Sequence, residues 1–163
     1  MSDARESTSL MLLTIIAAML LSMLPLPVML EPAKPYWVAL VMIYWSLETR
    51  TGISLGTAFV VGLVVDILSG SLLGLHALSL VIVVFLAQRF RSRIRFFPPW
   101  QQALSVLGLL VNDRIILIWI GALMGEPMPT LKYWLPPLIG MAVWPWLFLF
   151  LDSLRARTRR LKS

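Results

Sequence analysis

The chain of 163 residues is 59% hydrophobic and only 13% charged, and its mean hydropathy is +0.85. Soluble domains carry about 25% charged residues, so this composition excludes an ordinary water-soluble domain. It predicts one domain over residues 1–163, formed by helices in a lipid bilayer. Cysteine is absent, which excludes disulfide and thiol chemistry.

Six hydrophobic segments follow one another along the chain, and they predict an all-α, polytopic transmembrane bundle of about six helices. The segments cover 9–30, 36–47, 53–68, 72–88, about 99–124 and about 133–151. The first is interpreted as an uncleaved signal-anchor helix, because Pro25-Leu26-Pro27 stands where a cleavage site would be expected. The second rises only ~18 Å against a hydrocarbon core of ~30 Å, so whether it spans fully stays open.

Most of the positive charge lies in two short basic arms that directly follow apolar segments. The arms are the loop 89–95 and the tail 152–163, and their cations are Arg89, Arg91, Arg93, Arg95, Arg155, Arg157, Arg159, Arg160 and Lys162. Cations collect on cytoplasmic loops and are attracted to anionic lipids, so both arms, and by parity the N-terminus, are predicted to be cytoplasmic. This placement argues against nucleic-acid binding, whereas docking of an acidic cytoplasmic partner stays open.

Charged side chains inside the segments are the candidate functional residues, because each costs about 2.5–3.5 kcal/mol to insert at mid-membrane. Counting ~1.5 Å per residue places Asp66, His76, Asp113 and Arg114, with Asn112, at similar depth in the outward half of the bilayer. The preferred pairing is Arg114 with Asp66, with His76 nearby. Three interpretations of these residues stay open: a polar cluster that fixes helix packing, a substrate or proton pathway, and a contact to a partner's membrane helix. Neither a metal site, a cofactor nor a catalytic arrangement is predicted.

Glycines recur at a spacing that allows close helix approach. The pairs with this spacing are Gly52/Gly56, Gly70/Gly74 and Gly121/Gly125. Most of them lie at segment ends, where glycine also makes turns, and for Gly52 and Gly125 both interpretations stay open. Tight packing is predicted for Gly56, Gly62 and Gly74, which lie inside segments three and four.

Three stretches make the sequence similar to the MreD family of rod shape-determining proteins. They are Pro35-Tyr36-Trp37 leading to Ile43-Tyr44-Trp45, GLVVDILSGSLLGLHALSL from Gly62 to Leu80, and RIRFFPPWQQAL from Arg93 to Leu104. The most distinctive match is the pattern Gly62/Asp66/Gly70/Gly74/His76, and the likeness extends over nearly the whole chain in length, segment count and arm placement. Asn112-Asp113-Arg114 departs from the family, which is usually less charged there.

The resemblance implies a non-enzymatic scaffold of the bacterial cell-elongation machinery in the inner (cytoplasmic) membrane. Such a scaffold would associate with the bitopic protein MreC and link MreB filaments, directly or indirectly, to a class B penicillin-binding protein and RodA. The resemblance also implies the six-helix fold of the substrate-binding subunits of energy-coupling-factor transporters. A small-solute binding or transport subunit is the alternative, but a sixth segment with so few polar groups favours the scaffold.

Overall fold

The computed structural model describes residues 2–49 and 53–161, and these residues form six α-helices. The helices are α1 (Ser2–Met23), α2 (Trp37–Glu48), α3 (Leu55–Ser69), α4 (Leu75–Ile94), α5 (Pro99–Leu123) and α6 (Leu135–Arg160). Two short 3₁₀ helices, Glu31–Ala33 and Leu131–Trp134, precede α2 and α6. The all-α bundle of six helices is confirmed, and the described residues contain no strand.

Helix α2 is the centre of the bundle. Every residue from Val38 to Leu47 is buried, and α1, α4, α5 and α6 all pack against it. A helix that is apolar all round avoids water, either inside a protein core or in lipid, and here the surrounding helices provide the enclosure. Its 12 residues end at Glu48, so α2 is a short helix enclosed by protein. The possible continuation to Thr51 falls on residues 50–52, which lie outside the described residues.

Several helix boundaries differ from the predicted segments. Helix α1 ends at Met23 instead of Leu30, because Pro25 and Pro27 cannot continue the hydrogen-bond ladder. Helix α4 continues through the first basic arm to Ile94, and α6 continues through the second to Arg160. The arms are therefore largely helical, since arginine is a good helix former and cations are favourable at helix C-termini.

Within residues 2–49 and 53–161, three helices are long and apolar enough to cross a membrane by length and composition. They are α4, α5 and the continuous helical stretch Leu131–Arg160, whereas Ser7–Met23 and Leu55–Ser69 are shorter apolar helices.

The two ends of the bundle differ in chemistry. The cavity end contains the links 24–36, 70–74 and 124–134, and an open cavity whose lining includes several charged side chains lies there. The basic end contains the C-terminus of α2, the link 95–98 and the last turns of α6, and it carries the arginine arms.

Candidate functional site

Asp66 caps the N-terminus of α4 from the preceding helix. Its side chain is fully buried, and its Oδ2 accepts the backbone N–H groups of Gly74 at 2.8 Å and Ala77 at 3.4 Å. Its Oδ1 accepts the backbone N–H of His76 at 2.9 Å. The first N–H groups of a helix have no partner within the helix, and the positive end of the helix dipole attracts a carboxylate. Burial of this charge is therefore compensated by backbone groups.

Two side chains complete the environment of this carboxylate. The hydroxyl of Ser71 donates to Oδ1 of Asp66 at 2.9 Å, and Nδ1 of His76 lies 2.8 Å from the same oxygen. An ionised carboxylate only accepts, so the His76 tautomer that fits carries its proton on Nδ1. The His76 ring also packs edge-on against Tyr36, with 6.0 Å between ring centroids. The depth argument placed Asp66 near His76, and the structure brings the two into contact.

Gly62 lets α3 touch the first turn of α4. A Cβ at this position would lie 2.6 Å from the backbone nitrogen of Ala77 and 2.9 Å from the carbonyl oxygen of His76. Backbone atoms cannot move aside as a flexible side chain can, so only glycine fits. The contact occurs one helical turn before Asp66, and it brings that carboxylate within reach of the amides it caps.

The other glycines of the pattern make turns. Gly70 ends α3 in the left-handed region at φ +63, and Gly74 precedes α4 at φ +99, and a Cβ on either would have open space on the side of the described residues. The structure therefore shows turn geometry at Gly74, where tight packing is predicted, and at Gly70, where the spacing suggests packing. Among the described residues, a Cβ on Gly56 would meet only the Ser54 hydroxyl at 3.7 Å, so no close helix contact is found there either. Gly125 also makes a turn, at φ +81.

Asp113 lies in a second buried polar contact, which joins α4 to α5. Its Oδ1 accepts a hydrogen bond from the hydroxyl of Ser79, and both side chains are buried. Its Oδ2 is buried without a hydrogen-bond partner among the described residues. Ser79 was not among the residues predicted from the sequence, although it is the polar residue within the apolar stretch from Ala77 to Ala87 of α4.

Arg114 does not pair with Asp66. Its guanidinium lies over the ring of Tyr133, 4.7 Å from the centroid, which is a cation–π contact. The amides of α4, Ser71 and His76 already occupy the Asp66 carboxylate, so the predicted Arg114–Asp66 pairing is corrected. The four charged residues thus lie in three separate environments.

A cavity of about 590 Å³ lies at the cavity end. Its polar lining includes Lys34, Tyr36, His76, Arg114 and Lys132. The cavity therefore brings together polar groups from both 3₁₀ links, α4 and α5.

Two arginines of the basic arms bind the C-terminus of α2. Nε of Arg91 donates to the Leu47 carbonyl at 2.8 Å. The guanidinium of Arg155 lies 3.2 Å from the Glu48 carboxylate and 3.4 Å from the Glu48 carbonyl. Guanidinium groups satisfy the unpaired carbonyls at a helix end and complement its negative dipole. The remaining arm arginines are exposed, namely Arg89, Arg93, Arg95, Arg157, Arg159 and Arg160.

Together, the fold and these contacts define a helical membrane protein in which buried charges hold helix ends in place. The family described as rod shape-determining protein MreD matches residues 5–154, so the chain belongs to the MreD family. The rod shape-determining protein MreD of Haemophilus influenzae is 28% identical over 144 residues, which cover 88% of this chain and 89% of the relative. Family membership assigns the chain a role in rod-shape determination. No solved structure matches the chain, so the likeness to energy-coupling-factor subunits stays a prediction.

Proposed function

We propose that this protein is a non-enzymatic, multi-pass scaffold of the cell-elongation machinery in the bacterial inner membrane. The observation that supports this most is the use of Asp66, the central residue of the family pattern. Its carboxylate accepts three backbone N–H groups and contacts two side chains, all within one helical hairpin. A carboxylate bound in this way builds the bundle, and it is not available for chemistry.

MreC is the most direct partner in this proposal. A bitopic protein brings one membrane helix, which needs an apolar helix face that the bundle itself does not cover. Helix α3 offers such a face, because Phe59, Val60 and Ile67 are 46%, 59% and 69% exposed. Van der Waals packing between such faces holds membrane helices together.

The basic end faces the cytoplasm in this proposal. Exposed cations such as Arg93, Arg95 and Arg157 would contact anionic lipids there. They would also lie on the cytoplasmic side of the membrane, where the MreB filaments are. The class B penicillin-binding protein and RodA are then connected directly or through MreC. The family assignment does not favour the transport alternative.

The test is site-specific photocrosslinking in cells, followed by purification of MreC in detergent. A crosslinker at Phe59, Val60 or Ile67 should capture MreC, because these side chains point away from the bundle. The matched control is a crosslinker at Leu40, which is fully buried in α2 and should capture nothing. Absence of MreC from the purified wild-type complex would contradict the scaffold proposal. Copurification without α3 crosslinks would move the interface to another face.

A further inference from the structure

The cavity at the cavity end carries an excess of positive charge. Lys34, Arg114 and Lys132 line it, and the only acidic residue in its described lining is Glu31. Glu31 forms an ion pair with Lys34 at 3.8 Å. Arg114 and Lys132 have no carboxylate within 4.0 Å among the described residues. The cavity volume of about 590 Å³ lies within the range of roughly 300–1,000 Å³ that is usual for ligand sites.

One feature orients this positive charge toward a ligand. The ring of Tyr133 holds the guanidinium of Arg114 from one face, which leaves its N–H groups directed outward in the plane of the group. Tyr36 also lines the cavity, but its hydroxyl is buried behind the cavity surface and does not face a molecule bound there.

A second cavity of about 410 Å³ continues from the first. The two share Ser22, Val65 and Ser69, and the Glu31–Lys34 ion pair lines both. The lining of the second cavity is mixed, because Ser22, Ser69 and the ion pair supply polar surface, whereas apolar side chains of α1 and α3, among them Met19 and Leu68, supply the rest. A cavity with several cations that leads into a passage bordered by apolar side chains of two helices matches a molecule with a charged head and a hydrocarbon chain.

We infer that these two cavities bind a membrane amphiphile through its anionic phosphate. Arg114 and Lys132 hold the phosphate by charge-assisted hydrogen bonds. The hydrocarbon chain lies in the second cavity between α1 and α3. The same phosphate chemistry occurs in a free anion, and the dependence on the second cavity distinguishes the two sources. Helix α3 contributes Val65, Leu68 and Ser69 to this site, which are different residues from those of the proposed partner interface on the same helix.

The test measures binding of three probes to the full-length protein in a non-ionic detergent by native mass spectrometry. The probes are short-chain phosphatidylglycerol, short-chain phosphatidylcholine and inorganic phosphate. Phosphatidylglycerol should bind saturably and more tightly than either of the others. Arg114→Gln should weaken its binding by about tenfold or more, because a charge-assisted hydrogen bond is lost. Lys132→Gln, in an exposed link, tests the same chemistry if Arg114→Gln fails to fold.

Two further variants separate the possible sources of binding. Ser69→Phe fills the junction of the cavities, so it should weaken phosphatidylglycerol binding and leave phosphate binding unchanged. Arg5→Gln removes an exposed cation of α1 that belongs to neither basic arm, and it should change neither. Equal effects of Arg5→Gln and Arg114→Gln would reduce the binding to general charge attraction and overturn the inference. Phosphate binding as tight as that of the lipid would assign the site to a free anion. If Arg114→Gln left lipid binding unchanged but lost an acidic protein that copurifies with the wild type, the cavity would be assigned to a protein segment and the inference would fall.

Discussion

At each end of the bundle, charged side chains bind the backbone groups that a helix end leaves unpaired, and the two ends use opposite charges. At the cavity end, the Asp66 carboxylate binds the N-terminal amides of α4. At the basic end, Arg91 and Arg155 bind the C-terminal carbonyl groups of α2. Each charge has the sign that the dipole of its helix end favours. The ends differ in burial, since Asp66 is inaccessible whereas the side chain of Arg155 is 19% exposed. Removing Asp66 leaves amides that water cannot reach, but carbonyls near the surface can be hydrated.

Of the variants that compare the two ends, Asp66→Ala should lower the free energy of unfolding the most. It removes the acceptor of three backbone N–H groups, one buried and two partly buried, so the free energy of unfolding should fall by about 3–5 kcal/mol. Thermal unfolding in detergent, followed by circular dichroism, measures this loss. The matched control is Asp152→Ala, which removes an exposed carboxylate of α6 and should leave the unfolding transition in place. Equal shifts for the two variants would show that Asp66 does not act as a cap.

Gly62→Ala should cause the second-largest loss of the free energy of unfolding, because its added methyl group overlaps the backbone at the start of α4. We expect a loss of about 1–3 kcal/mol, as for overpacking of a tight contact. Gly56→Ala on the same helix is the control, and it should stabilise α3 by up to about 1 kcal/mol because alanine is the better helix former. The same unfolding measurement compares both variants. A stable Gly62→Ala would mean that the two helices are farther apart than described.

The basic end should respond least. Arg91→Gln and Arg155→Gln each remove a cation from the C-terminus of α2, so each should lower the free energy of unfolding by about 1 kcal/mol. Arg93→Gln and Arg157→Gln remove exposed cations from the same two arms and should leave it unchanged. Measuring all four variants at low and high salt tests whether the effect is specific. If the four variants lose equal stability, the arms act only through their total charge.

The helices were largely predictable from the sequence, but their positions within the bundle were not. Long apolar runs indicate helices in a membrane, and depth along each helix brings Asp66 and His76 to one level. Depth says nothing about direction around the helix axis, which is why Arg114 was paired with Asp66 and lies over Tyr133 instead. For the same reason, Gly62 differs from Gly56 only through the backbone it faces.

The burial of α2 at the centre of the bundle also could not be predicted from the sequence. All six segments are apolar, so no polar face distinguishes a helix surrounded by protein from one that faces lipid. Trp45 and Trp144 illustrate this, since tryptophan is common at membrane surfaces, yet both side chains are buried. Their indole N–H groups bind Thr14 and Gln102, which are partners from other helices.

The enclosure of α2 also has a consequence for folding during synthesis, because most of the helices that surround it are made after it. Helix α2 leaves the ribosome before α4, α5 and α6, which form most of its surroundings. Of these three, α6 follows the other two, and it brings Phe148 against Tyr44, with 5.5 Å between ring centroids, and Arg155 against Glu48. A nascent chain stopped before α6 therefore leaves one side of α2 uncovered, and the arrival of α6 completes the enclosure of this helix.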